Sequence, residues 1–201
     1  FYKFKELDMD SPTIIRAAET AKEQVKGVLK LGFANDALLR WVFPDAKAFL
    51  ESFDHWMEEY SKIAFKHDIC FAEASFAGAS IWHPPGVAFD ESLLEPTFGN
   101  IPEANLGAVA HFFEQFETYH PEDAWYLAFI AVDPAKQGQG IGSFLLKEAL
   151  KMIDEKGDRA YLEASNERNK ALYERYGFEM IGKVQTEDSP PAFPMIREAR
   201  R

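Results

Sequence analysis

"AVDPAKQGQGIG", residues 131–142, sets glycines at 138, 140 and 142 just after an apolar run, and its reading decides the fold. A glycine weakens a helix or strand interior by roughly 0.5–1 kcal/mol relative to alanine, so three at alternate positions need a local cause. The preceding run, "AWYLAFIAV" at 124–132, is apolar at nearly every position, as a central strand buried on both faces would be. After the glycines, Ile141, Leu145, Ala149, Met152 and Ile153 return to helical spacing, and Gly157 suits a helix C-terminus. Strand, glycine turn and helix start together predict an anion site. The first amides of a helix lack internal partners, the dipole adds a positive field, and glycine lets a ligand reach the main chain.

Three phosphate-binding readings compete with a glycine-rich turn that binds nothing. A Walker loop is excluded: Ser143 stands five residues after Gly138, and no Lys-Ser/Thr follows. A dinucleotide fingerprint fits poorly, because five residues separate Val132 from Gly138 and the spacing is Gly-x-Gly-x-Gly. It stays open as a minor alternative, since an acidic residue, Glu163, lies at the expected distance. The third reading rests on Gln137-Gly138-Gln139-Gly140-Ile141-Gly142, preceded by "AVDP", which resembles the acetyl-CoA pyrophosphate loop of the GNAT superfamily of N-acetyltransferases. A second stretch in order, "LEASNERNKALYERYGFE" at 162–179, resembles that superfamily's Leu-Tyr-Glu-Arg-x-Gly-Phe segment. The resemblance covers about residues 125–183 well and the N-terminal half in outline. With "WHPPG" at 82–86, the motifs are closest to the branch containing puromycin acetyltransferase.

The resemblance implies an α/β (α+β) acyl-CoA acyltransferase fold of GNAT type, a central mixed and mostly antiparallel sheet flanked by helices. The whole of 1–201 is then one domain with its cofactor core at about 125–183. It implies acetyl-CoA as cofactor, with its pyrophosphate on the amides around Gln137, Gly138, Gln139, Gly140, Ile141, Gly142 and Ser143. Its extended arm would pair with the strand at Ile130, Ala131 and Val132, and Asn166 or Asn169 would hydrogen-bond that arm. Lys136 and Lys147 lie near enough in sequence to offset the acidic background.

Acetyl transfer to an amine also needs proton traffic. The leaving thiolate benefits from a proton donor, and the "LYER" segment of the family selects Tyr173, with Tyr176 the packed neighbour. An alkylammonium near pKa 10.4 is under about 0.1% neutral at pH 7, so a base is required, and Glu163 at a strand end is the candidate. His83 is a weaker candidate for substrate contact. No Ser or Cys sits in a nucleophile motif, so transfer is read as direct from thioester to amine.

The rest of the chain sets the limits. Thirty-three acidic against 22 basic residues, a net charge of −11, argue against a nucleic-acid partner and favour a small cationic amine. No apolar run reaches the roughly 18 residues of a membrane span, and "FYKFKELDMDSP" lacks a leader pattern. The first residue is not Met, so residues are expected upstream. One cysteine, Cys70, and no glycosylation sequon point to the cytoplasm, as a monomer or homodimer. Nothing has metal-ligand spacing, so no metal is expected.

Periodicity predicts a strand at 13–16, then a helical stretch, and a long helix over 43–66 capped by Asp45. Two strands follow within 68–86, and residues 84–107 read as an irregular loop that covers or lines a pocket. A helix over 102–119 carries a stripe of Phe112, Phe113, Phe116 and Tyr119, read as packing rather than as a ligand cradle. After the glycine loop come strands at 159–165, 177–184 and 193–199, with a short helix over 169–176 between the first two. Two alternatives to small-amine acetylation remain: a protein or peptide N-acetyltransferase, and a non-catalytic acyl-CoA-binding module.

Overall fold

The computed structural model describes residues 11–186 and 188–200; residues 1–10, most of the stretch read for a leader, lie outside them. In chain order the elements are β1 (Ile14–Arg16), α1 (Lys22–Phe33), α2 (Ala37–Val42), α3 (Ala46–Lys66), β2 (Cys70–Glu73), β3 (Gly78–His83) and α4 (Leu106–Glu117). Then follow β4 (Ala124–Val132), α5 (Ile141–Lys156), β5 (Arg159–Ala164), α6 (Glu167–Glu174), β6 (Glu179–Met180) and β7 (Phe193–Arg197).

The apolar run 124–132 is the central strand of one seven-stranded sheet ordered β1-β2-β3-β4-β5-β7-β6. Only β4 and β5 run parallel, joined by the α5 crossover; every other pair is antiparallel. This is the mixed, mostly antiparallel sheet expected. One departure from regular pairing matters for the site. β4 and β5 register only over Ala124–Tyr126 and Arg159–Tyr161, after which the two strands continue without pairing. On its other edge β4 stays paired with β3 as far as Val132, with a bulge that skips Ala128. The sheet therefore opens at its middle, and the β4 edge beyond Tyr126 has no strand beside it.

The helices are placed by their apolar faces. Asp45 caps α3 by accepting from the Ala48 amide at 2.9 Å, and Phe49, Phe53, Trp56 and Met57 bury one face against the sheet and α1. Each such side chain contributes about 1.5–3 kcal/mol on burial. α5 buries Leu145, Leu146, Ala149 and Ile153, and Gly157 closes it at φ +72°. On the far side of the sheet, Arg197 of β7, 2% exposed, bonds Asp154 of α5 through two nitrogens at 2.6 and 2.8 Å, and its Nε donates to the Tyr176 carbonyl.

Two boundaries differ from the sequence expectation. The helix expected over 102–119 is Leu106–Glu117, entered through a single 3₁₀ turn at Glu103–Asn105. The strand expected over 177–184 shrinks to Glu179–Met180 plus one bridge between Val184 and Ala192. Gly182 there is pressed against the Tyr119 ring, where a Cβ would collide, so the break in the strand falls at a position that needs glycine. The loop expected at 84–107 is largely a 3₁₀ segment, Glu91–Asn100. It is pinned to α3 by Trp56 Nε1 to Thr97 Oγ1 (3.0 Å), Asn100 Nδ2 to Ser52 Oγ (2.9 Å) and His55 Nε2 against the Leu93 carbonyl (2.6 Å).

Candidate active site

The glycine loop is built by local bonds that leave its amides bare. Asp133 donates its amide to the Ala77 carbonyl, and its Oδ1 accepts from Ala135, which turns the chain out of β4. Gln137 Nε2 donates back to the Val132 carbonyl at 3.3 Å. Gly138 and Gly140 then take φ +80° and +81°, left-handed conformations that need glycine. The first helical bond is Phe144 amide to Gly140 carbonyl, at 3.1 Å. Among the described residues the amides of 138–143 donate to nothing, and the first turn of α5 holds no acidic side chain. Unengaged amides at a helix start are an arrangement that can receive an anion. Gly142 is helical, and a Cβ there would make only ordinary contact with Val132, so protein packing does not require a glycine at that position. A ligand approaching the main chain would. Lys136 is exposed, and Lys147 Nζ sits over the Phe144 ring at 5.3 Å.

A cavity of about 890 Å³ lies alongside the unpaired edge of β4, near the upper end of the range for small-molecule sites. Ile130 borders it from β4, Glu163 from β5, and Ser165, Asn169 and Tyr173 from α6 and its entry. Leu94, Phe98 and Ile101 of the pinned 3₁₀ segment line it, as the sequence reading of 84–107 expected. Asp36, Glu91, Glu114, Glu117, Glu122 and Glu163 also border it, and among the described residues no Lys or Arg does. The stripe on α4 divides: Phe113 and Phe116 face the cavity, whereas Phe112 packs on Trp41 in a satellite core and Tyr119 packs beside it.

Asn169 and Tyr173 stand one helical turn apart on the cavity face of α6. Asn166, also expected to touch cofactor, is the N-cap of that helix: its Oδ1 accepts from the Asn169 amide at 2.9 Å, and it does not border the cavity. Ala131, Val132 and residues 137–143 lie outside the cavity too, continuing its β4 edge toward the glycine loop. Tyr173 is 6% exposed, and burial, with the nearby Asp36 charge, pushes its hydroxyl well above the usual phenol range. It stays protonated at neutral pH, and the hydroxyl makes no hydrogen bond to the described residues. Tyr176 is set aside from this face, its carbonyl held by Arg197.

At the opposite wall Glu163, its side chain 15% exposed, faces the partly open His120, whose Nδ1 stands 3.8 Å from Oε1. The imidazole packs edge-on against Tyr126 and Tyr161, at 4.7 and 4.9 Å. Burial and the Glu163 charge push both phenols up, and the buried Tyr161 hydroxyl has no partner. His83, 2% exposed, is stacked on Tyr60, and Tyr60 on Phe89. Desolvation lowers the His83 pKa to about 4, so it is neutral, with Nε2 donating to the Tyr60 carbonyl at 3.0 Å. Cys70 is fully buried and its thiol is pushed up to about 12, an inert core residue. Sequence reasoning passed over His120, Tyr126, Tyr60 and Phe89. Each carries an ordinary strand, helix or loop signal, and only tertiary folding brings them to one wall.

Splayed strands, a bare glycine loop at a helix start and an acceptor cavity on the same edge are the architecture of the GNAT fold. Residues 96–178 match the family model "Acetyltransferase (GNAT) family". The chain is 27% identical over 161 residues to an uncharacterized N-acetyltransferase of Schizosaccharomyces pombe. That alignment takes in 70% of this chain but 65% of the relative, so the chain spans just under two thirds of it. A solved histone acetyltransferase HPA2 and related acetyltransferase from Corynebacterium glutamicum superposes with a TM-score of 0.68 at 24% identity, over 96% of this chain and 98% of that one. Arylalkylamine N-acetyltransferase 2 from Aedes aegypti does so with a TM-score of 0.64 at 12% identity, over 95% and 100%. An agmatine N-acetyltransferase gives 0.64 at 12%, over 94% and 100%. The family model covers less than half of the chain, and with the solved structures it establishes the GNAT fold.

Proposed function

We propose that the chain is an acetyl-CoA-dependent N-acetyltransferase that acetylates the primary amine of a small, cationic molecule. One observation carries this reading: the bare amides at 138–143 follow directly on β4, whose edge is unpaired beyond Tyr126, and the cavity beside that strand is bordered by both a protonated Tyr173 and Glu163. The amides of Gly138 to Ser143 would hold the pyrophosphate of acetyl-CoA, Ile130 to Val132 its amide-bearing arm, and Asn169 the end of that arm. When bound, acetyl-CoA supplies an acetyl carbonyl activated as a thioester. Tyr173, whose hydroxyl is unengaged and fully protonated, donates to the leaving sulfur. Glu163 supplies negative charge at the acceptor wall, where an ammonium must shed a proton. No covalent acetyl-enzyme is needed.

The acceptor class follows from the walls. A cavity bordered by six carboxylates and no Lys or Arg favours a cation, and its aromatic lining favours an alkyl or arylalkyl body. The 3₁₀ segment roofing the cavity, bonded to α3 at three points, favours a small molecule over an extended peptide. Two solved structures with this fold are named for agmatine and arylalkylamine, which agrees with that choice. The "WHPPG" likeness to the puromycin acetyltransferase branch falls on the same wall, where His83, Pro84 and Gly86 border the cavity. We place the enzyme in the cytoplasm as one domain. No helix of the described residues is long and apolar enough to cross a membrane.

The test is release of coenzyme A thiol from acetyl-CoA across a panel of alkylamines, arylalkylamines, polyamines, aminonucleosides and peptides. It is run beside calorimetry of coenzyme A alone. Turnover with small cationic amines supports the reading. Heat of binding without turnover of any amine would leave a binding module, and the absence of heat would remove the cofactor site itself.

A further inference from the structure

We propose that His120, held by Glu163, is the group that takes the proton from the acceptor ammonium. This rests on the acetyltransferase reading above and reassigns Glu163 from base to positioning residue.

The cavity limits the candidates. Its titratable lining, among the described residues, is His83, His120, three tyrosines and the carboxylates. The tyrosines Tyr60, Tyr126 and Tyr173 are all pushed above the usual phenol range by burial and stay protonated, so none is a base. His83 is buried, has its Nε2 hydrogen committed to the Tyr60 carbonyl, and is too weakly basic at about 4. His120 also borders the cavity, partly exposed, with its ring nitrogen beside the Glu163 carboxylate. His120 is the imidazole that remains.

Its surroundings suit the task. Glu163 Oε1 stands 3.8 Å from Nδ1, beyond hydrogen-bond reach but close enough for its charge to act on the ring. The same carboxylate stabilises the imidazolium once formed. The groups facing His120 are Glu163 and Tyr161 from β5, Tyr126 from β4 and His83 from β3, with Glu117 and Glu122 adjoining it in sequence. None is a fixed cation. The ring is held edge-on by the two tyrosines, yet the side chain is 41% exposed, so it can release a proton to water. The step balances as follows. One ammonium proton passes to His120 and then to solvent. The freed nitrogen forms the bond to the acetyl carbon while the carbon–sulfur bond breaks. The second proton lost from nitrogen balances the one the thiolate takes from Tyr173.

The test compares phenethylamine with its β,β-difluoro analogue, whose electron-poor nitrogen is far more neutral at pH 7, using the full chain with acetyl-CoA. His120→Gln should lower kcat/KM for phenethylamine at pH 7 by about 100-fold, in the range of general-base contributions. That deficit should shrink at least tenfold with the difluoro amine, and also as pH rises toward the deprotonation of phenethylamine itself. The rise of kcat/KM with pH should move to higher pH in His120→Gln, toward the deprotonation of the amine itself. Free imidazole should rescue His120→Gly, and Glu163→Gln should lose less than His120→Gln. Calorimetric titration with coenzyme A, unchanged in each variant, certifies the fold. Equal deficits for both amines at every pH, or a His120→Gln rate within twofold of wild type, would overturn the assignment. Wild-type protein that binds coenzyme A but turns over neither these amines nor the wider panel would overturn the acetyltransferase reading beneath it.

Discussion

The glycine loop and the acceptor cavity face the same edge of β4 but are made of opposite materials. The loop, residues 133–143, is continuous chain whose recognition groups are backbone amides. It is specified by Asp133, Gln137 and two left-handed glycines within eight residues. The cavity collects residues from Phe33 of α1 to Ala192, just before β7, and its wall includes residues as distant as Asp36, bonded to Ser165 at 2.7 Å, and Glu163. A backbone site is read locally and tolerates side-chain change; a side-chain site is set by packing and tolerates little. The loop should therefore govern cofactor affinity, and the cavity should govern rate and acceptor choice.

The strongest challenge to that division is Tyr173→Phe. It should cut kcat by about 100- to 1,000-fold while leaving coenzyme A affinity by calorimetry within about twofold. A comparable fall in affinity would show that the two regions are not separable. Next comes acid. His83 has a folded pKa of about 4 against about 6.5 unfolded, so the unfolded chain binds the extra proton. Its contribution to stability is complete above pH 6.5 and is lost as pH falls toward 4, at most about 3 kcal/mol. Melting temperature should drop across that window, and His83→Gln should flatten the component while leaving cofactor binding intact. Gly140→Val forces a branched residue to φ +81° at a cost of about 1–2 kcal/mol. It should weaken coenzyme A about tenfold or more, with kcat at saturation nearly unchanged. Smallest is Asn166→Ala, which removes the α6 cap for about 1 kcal/mol of stability. If Asn166 also holds cofactor, KM for acetyl-CoA will rise beyond what the lost cap explains.

Legibility followed the same line. The strand–loop–helix at 124–156, the Asp45 cap and the Gly157 stop are short-range signals, and the structure has them where spacing put them. Tyr173 and Asn169 were legible because an i, i+4 pair on one short helix must share a face. Asn166 has a role the segment motif did not announce: its Oδ1 caps the helix start. His120 was invisible because nothing in "ETYHPED" announces a partner 43 positions away; the pair exists only because β5 lies beside β4. The 177–184 strand is shorter than its apolar pattern suggests, and Tyr119, far off in sequence, packs where a side chain at Gly182 would stand.

By itself the sequence determined where backbone must turn left-handed and where helices start and stop, and hence the loop with its bare amides, because these depend on residues within a few positions of one another. Only the tertiary structure decided the parting of β4 from β5, the acidic cavity beside it and the His120–Glu163 pair. Those arise from packing among elements whose order in the chain says nothing of their separation in space.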